Sequence, residues 1–200
     1  MRVDFAMHEN AGMRLPAQLT AIEEATARQG FGMPSERDTG ALLRVLAASK
    51  PAGRLLEIGT GTGLATAWLL DGMDGASLLQ TIDTDRDVVA VAERILGQDP
   101  RVRFVVADAI GWLEANADLS FDLIFADAIP GKYVQFSSVW ERLSPGGIYV
   151  VDDMLPQGNW PDGHGKRVAG LLASLKQRPD CTVVEVAWAS GLAIAVRSAR

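Results

Sequence analysis

Few cysteines, few histidines and no long apolar run mark this 200-residue chain: it has one Cys and two His. No stretch approaches the roughly 20 apolar residues that a helix needs to cross a bilayer, so a membrane span is not expected. Cys181 has no second cysteine to pair with, and its apolar neighbours predict a buried thiol. A reducing, cytoplasmic location is the matching expectation. Excess positive charge is also missing: 19 Lys and Arg against 25 Asp and Glu leave a net charge of −6. That balance argues against nucleic acid, whose grip depends on a basic face, but leaves small anionic molecules open. The opening stretch MRVDFAMHENAG has acids and a His where a secretory leader would be apolar. Repeats, low-complexity tracts and linkers are absent, which predicts a single domain over 1–200.

What is present is a strict alternation. From residue 54 onward, apolar runs of strand length recur at 54–58, 77–83, 102–107, 121–126 and 147–152. Helical patterns begin between them near Leu64, Asp85, Ala109 and Lys132. The runs are nearly unbroken in Leu, Ile and Val, as expected of parallel strands covered on both faces. The fold class is therefore α/β, a doubly wound and mostly parallel sheet. Near the end, a helix carrying Val168, Leu171, Leu172 and Leu175 precedes CTVVEVAWA and LAIAVR, which only SG separates. Those two runs predict a terminal antiparallel hairpin and seven strands in all. Before the first strand, residues 1–50 read as a helical extension with helices near 15–29 and 36–49. Ser35 is expected to cap the second of these, with Asp38 completing a capping box. Leu15, Leu19, Ile22 and Ala25 form a stripe at helical spacing that has to be covered, by the sheet or by a second copy in a homodimer. An addition at this place also tends to cover an active site.

The first strand runs into RLLEIGTGTGLAT, residues 54–66. No lysine follows the glycines, which excludes a Walker loop, and the third glycine falls one residue early for a dinucleotide fingerprint. Glu57 ends the strand, and a carboxylate there would repel a pyrophosphate but suits a cation. E-x-G-x-G-x-G thus points to S-adenosylmethionine, with its sulfonium and ammonium groups and no phosphate. Gly59, Gly61 and Gly63 let the backbone approach such a ligand, with Thr62 between them. The next strand ends in TIDTD, where Asp83 is expected to accept from both ribose hydroxyls beside Thr84. The third ends in VADAI, where Asp108 and the backbone of Ala109 are expected at the adenine. Strand-end acids also serve simply as helix N-caps, and Asp85 is expected to be one.

The seven-strand plan and these motifs resemble the class I methyltransferases, a Rossmann-like fold. LLEIGTGTG, TIDTD, FDLIFADA and GGIYVVDDML together resemble the caffeoyl-CoA and catechol O-methyltransferases, over about residues 33–197. In that family an Asp after the fourth strand and an Asp-Asn pair after the fifth bind a divalent metal. The resemblance implies Asp127, Asp152 and Asp153 as ligands for Mg²⁺, or Mn²⁺ or Ca²⁺, with Asp153 replacing the Asn. Three close carboxylates also demand a cation among them, or a proton on one, on electrostatic grounds alone. A further departure is AIPGKY after Asp127, where the family is rich in acids. The expected activity is O-methylation of a small catechol-like or phenolic acceptor, with Asp127 also near the cofactor. Lys132 is the candidate for taking the acceptor's proton, and His164 in NWPDGHGK is the alternative. Met33, Tyr133, Met154 and Trp160 are candidates for the acceptor pocket or for plain core packing. A metal-independent methyltransferase and a non-catalytic S-adenosylmethionine-binding protein are the competing readings. A nucleic-acid enzyme lacks its Asn/Asp-Pro-Pro-aromatic segment here.

Overall fold

The computed structural model describes residues 13–158 and 160–199, so the reading of the first twelve residues lies outside the described part. Five parallel strands form where the sequence runs are apolar on both faces: β1 Arg54–Ile58, β2 Leu78–Asp83, β3 Val102–Val106, β4 Phe121–Ala126 and β5 Leu143–Val151. Central β4 is buried at Phe121, Leu123, Ile124, Phe125 and Ala126, as a strand covered by helices on both faces must be. The terminal hairpin, β6 Cys181–Val186 and β7 Leu192–Arg197, completes a seven-stranded sheet in the order β3-β2-β1-β4-β5-β7-β6. Strand β7 is antiparallel to both β5 and β6, so it alone is reversed. The chain order switches between β1 and β4, which pair in parallel, and a crevice opens outside the carboxyl ends of strands at such a point.

Two layers of helix close the core. On one side α1 Leu19–Gln29, α2 Arg37–Ala48 and α3 Leu64–Gly72 gather Leu19, Ile22, Leu43, Ala47, Trp68 and Leu69 into one cluster with Leu55 and Phe125. On the other, α5 Ala109–Ala115 and α8 His164–Gln177 pack Ile110, Leu113, Val168, Leu171 and Leu175 against the sheet. The stripe on α1 is thus covered within its own chain, and the surface that suggested a homodimer is already used. Helix α4, Arg86–Leu96, starts as expected at Asp85, whose carboxylate accepts from the N–H groups of Asp87 and Val88.

The fold departs from the sequence reading in several places. No regular helix begins at Lys132. Instead Ile129–Lys132 makes one broken turn, α6, with Pro130 extended (ψ 138°) and Gly131 left-handed (φ 83°), before α7 at Phe136–Trp140. Strand β5 begins at Leu143, ahead of the expected start at 147, with a register shift against β4 between Phe121 and Leu123. Ser35 does not cap α2. Glu36 holds the N-cap position without a side-chain bond, and Ser35 reaches elsewhere. Cys181 is only partly buried, because β6 is the sheet edge. Among the described residues no helix is long and apolar enough to cross a membrane.

Candidate active site

At the switch point a cavity of about 580 Å³ opens above the ends of β1, β4 and β5, roofed by the loop between α1 and α2. Its floor is the loop after β1. Gly59 has φ 104°, and a Cβ there would lie 3.0 Å from the carbonyl oxygen of Asp127, so any side chain would be doubly strained. Gly63, also left-handed, turns the chain into α3. Thr26 on α1 and Thr62 in the loop share a hydroxyl hydrogen bond of 2.7 Å, which fixes the roof to the floor. Beside the loop, Asp83 accepts from the Gly61 N–H at 3.0 Å and from the Asp85 N–H at 3.1 Å. These backbone donors orient the carboxylate while each oxygen keeps a lone pair for a further donor. Gly59, Gly61, Thr62, Asp83 and Asp127 all line the cavity.

Glu57 is placed differently from the expectation. It is 0% exposed, beneath the loop and outside the cavity wall. One oxygen accepts from Thr66 at 2.5 Å and Thr81 at 2.6 Å, and the other has no partner. Thr81 also bonds Thr60 at 2.6 Å, so the acid organises the glycine loop from below. Burial pushes the Glu57 carboxyl from its ordinary 4.5 up to about 8, opposed by the two threonines and reinforced by Asp127 and Asp83. A folded pKa above the unfolded one makes this acid's contribution to stability whole below about pH 4.5 and progressively lost as pH rises toward 8. We expect Glu57→Gln to flatten the fall in melting temperature between pH 5 and 8, a difference on the order of a few kcal/mol. Parallel melting profiles for the two proteins would show that the acid is not held neutral.

The remaining acids meet where β4 and β5 end. Asp127, Asp152 and Asp153 do converge, and the cation among them is Lys132. Its ammonium donates to Asp127 at 3.2 Å and to Asp153 at 3.4 Å, and the residue is only 4% exposed. One oxygen of Asp152 accepts from the Asp153 N–H at 2.8 Å and, in a short bond, from the Ser190 hydroxyl. The other oxygen of Asp127 accepts from Ser35 at 3.2 Å, which is where the expected capping residue goes. Asp153 is held left-handed at φ 60°, a conformation that Asp tolerates better than most residues. Burial raises the carboxyls of Asp127 and Asp152. Burial pushes the Lys132 ammonium down, but Asp127 and Asp153 outweigh it, and its pKa ends above the ordinary lysine value. A lysine held protonated in this way is a hydrogen-bond donor, so it does not suit the expected role of proton acceptor.

A divalent metal does not fit this arrangement. Oxygen ligands approach such an ion at about 2.0–2.6 Å, and the centre of the cluster is already filled by a nitrogen bonded to two of the three acids. Among the described residues no group of three or more His, Cys, Asp and Glu side chains is arranged to hold a metal ion. The expected ligands of Mg²⁺, Mn²⁺ or Ca²⁺ are instead bonded within the chain, Asp127 and Asp153 to Lys132 and Asp152 to Ser190.

Across the cavity stand Tyr133, Trp160 and His164. The Tyr133 hydroxyl and the His164 Nε2 lie 3.1 Å apart, and the Trp160 and His164 rings are 4.5 Å between centroids. Burial, and then the Lys132 charge, lowers the His164 pKa, which favours the neutral ring. Met33 lines the same space, whereas Met154 is core. Gly63, Thr84, Asp108 and Ala109 are not in the cavity wall. Asp108 instead caps α5 by accepting from the Gly111 N–H at 2.9 Å. Sequence reasoning missed Phe31, Glu36, Gln157 and Ser190, which reach the cavity from loops far apart in the chain. No spacing in the sequence announces them.

The family described as "Methyltransferase domain" matches residues 56–154. A protein of Mycolicibacterium vanbaalenii described as "Putative O-methyltransferase" is 36% identical over 149 residues, covering 72% of this chain and 66% of that relative. The chain thus spans about two thirds of that relative's length. A Mycobacteroides abscessus protein of the same description is 31% identical over 191 residues, covering 90% of this chain and 87% of its own. In the solved structures, an O-methyltransferase from Bacillus cereus in complex with S-adenosylhomocysteine superposes with a TM-score of 0.80 at 18% identity, over 93% of each chain. That likeness is one of fold.

Proposed function

Because the chain belongs to the O-methyltransferase branch of the class I, S-adenosylmethionine-dependent methyltransferases, we propose that it methylates a hydroxyl of a small aromatic acceptor without a metal. Bound S-adenosylmethionine supplies an electrophilic methyl group, whose bond to sulfur breaks, leaving the electron pair on sulfur, as the new C–O bond forms. The cofactor's place in this reading is the glycine loop with Asp83. The cradle at Gly59 that a Cβ would fill and the oriented, charged acceptor at Asp83 support it. The acceptor lies toward Tyr133, Trp160 and His164, where an aromatic ring finds aromatic walls.

Asp127 and Lys132 act on the acceptor hydroxyl. The Asp127 carboxylate takes its proton, and burial, which raises this carboxyl, brings its basicity closer to the working pH. The observation that carries the reading is the pairing of Asp127 with a buried ammonium at the edge of the cofactor cradle. Transfer of labelled methyl from S-adenosylmethionine to a panel of phenols tests it. We expect at least one phenol to be methylated with EDTA present. Tight binding of S-adenosylhomocysteine with no transfer to any phenol, amine or thiol would leave a cofactor-binding protein instead.

A further inference from the structure

We propose that Lys132 is a built-in replacement for the divalent ion, and that the acceptor is therefore recognised through one oxygen rather than two. This inference rests on the methyltransferase reading and deepens it. The three acids are where the family resemblance implies metal ligands, yet the chain inserts its own cation among them. Two of the three ammonium donors are used, by Asp127 and Asp153, and the residue lines the cavity. The third N–H is the donor left for an acceptor oxygen.

The backbone holds this lysine in place. Gly131 is left-handed, and a Cβ on it would come 2.9 Å from the Ile58 side chain, so the turn needs glycine. The hydroxyl of Tyr149 on β5 donates a short hydrogen bond to the Gly131 carbonyl, and the Gly131 N–H donates to the Val134 carbonyl at 2.9 Å. AIPGKY thus delivers an ammonium to a fixed point rather than a solvated side chain. Leaving would strand Asp127 and Asp153 without their ion-pair partner beside a third acid, which disfavours exchange for an ion from solution.

The chemical consequence concerns the acceptor. A divalent ion can be chelated by two adjacent hydroxyls, which makes a vicinal diol the preferred substrate. A single N–H donor binds one oxygen, and the second hydroxyl adds nothing to it. The acceptor class that follows is a phenol with one reactive hydroxyl, its ring against Trp160 and His164.

Manganese titration followed by electron paramagnetic resonance tests the replacement directly, without substrate or turnover. Wild-type protein is expected to leave Mn²⁺ free up to millimolar concentration. Lys132→Ala, with its cooperative thermal transition retained, is expected to take up one Mn²⁺ per chain, and adding Asp152→Asn should remove it. If Lys132→Ala does not fold, Lys132→Ser serves the same purpose. Micromolar Mn²⁺ binding by the wild type, abolished by Asp152→Asn, would overturn the proposal. So would a folded Lys132 variant that binds no Mn²⁺. For the acceptor, kcat/KM for a monohydroxyl phenol should be within about threefold of that for its catechol counterpart and unchanged by EDTA. A hundredfold preference for the catechol that needs added metal would refute single-oxygen recognition. Failure of the methyltransferase reading would appear separately, as no methyl transfer at all, while the manganese result stands by itself.

Discussion

Asp127→Asn is expected to lower kcat by about 10²–10⁴-fold, the usual worth of a positioned general base. The substitution keeps the shape of the side chain: its one amide oxygen can still accept from Lys132, and its NH2 can donate to the Ser35 hydroxyl, in place of two bonds to Asp127 that are both 3.2 Å. It removes the basic oxygen that would receive the acceptor's proton. Affinity for S-adenosylhomocysteine should change by no more than about tenfold, because the glycine loop and Asp83 are untouched, and no neutral hydrogen bond is worth more than about 1.5 kcal/mol net. Single-turnover rates with a phenol acceptor, alongside calorimetric titration of the product cofactor, separate the two effects. A variant that turns over at the wild-type rate would remove Asp127 from the chemistry and leave His164, neutral and bonded to Tyr133, as the proton acceptor.

Asp83→Ala should act on the other half of the cavity. It deletes a charged acceptor, and hydrogen bonds to charged groups contribute about 1.5–3 kcal/mol each. Loss of two such bonds to a ribose, about 3–6 kcal/mol together, predicts at least a hundredfold weaker affinity for S-adenosylhomocysteine. Some of that loss comes indirectly, since Asp83 also receives the N–H groups of Gly61 and Asp85 and so shapes the loop. The comparison that isolates the ribose contacts is Asp83→Asn, which can keep one acceptor oxygen but not the charge. Its affinity should lie between those of the wild type and the alanine variant. Equal affinities in all three proteins would dismiss Asp83 as a cofactor contact.

The contrast between Asp83 and Glu57 shows where a sequence stops being readable. Both are acids at strand ends before a glycine or a turn, and both suit a cationic or hydroxylated ligand on chemistry alone. In the folded chain Asp83 faces the cavity, whereas Glu57 faces Thr66 and Thr81 beneath the loop. The side on which a strand's last residue points depends on the register and twist of its neighbours, which a single strand does not encode. Asp108 accepts from the N–H of Gly111, a helix-cap role that the sequence leaves equally open. A free helix N-terminus competes locally for any carboxylate beside it.

The sequence by itself determined the alternation of strands and helices, the reversed last strand, the glycine loop at the switch point and the meeting of Asp127, Asp152 and Asp153. Each of these follows from short-range pattern: apolar runs, turn residues, and the rule that neighbouring parallel strands align their carboxyl ends. Only the tertiary structure decided what neutralises the three acids. Lys132 is five residues from Asp127 along the chain, a spacing equally compatible with a solvated side chain on a regular helix. The broken turn at Pro130 and Gly131, with the Tyr149 hydroxyl bonded to Gly131, turns it inward instead. Tertiary contacts likewise drew Ser35 away from its helix and onto Asp127, and buried the α1 stripe within the chain's own core. Burial makes a charge satisfy itself with whatever partner the fold brings near, and that partner lies far along the chain or in an irregular turn, where local pattern carries no signal.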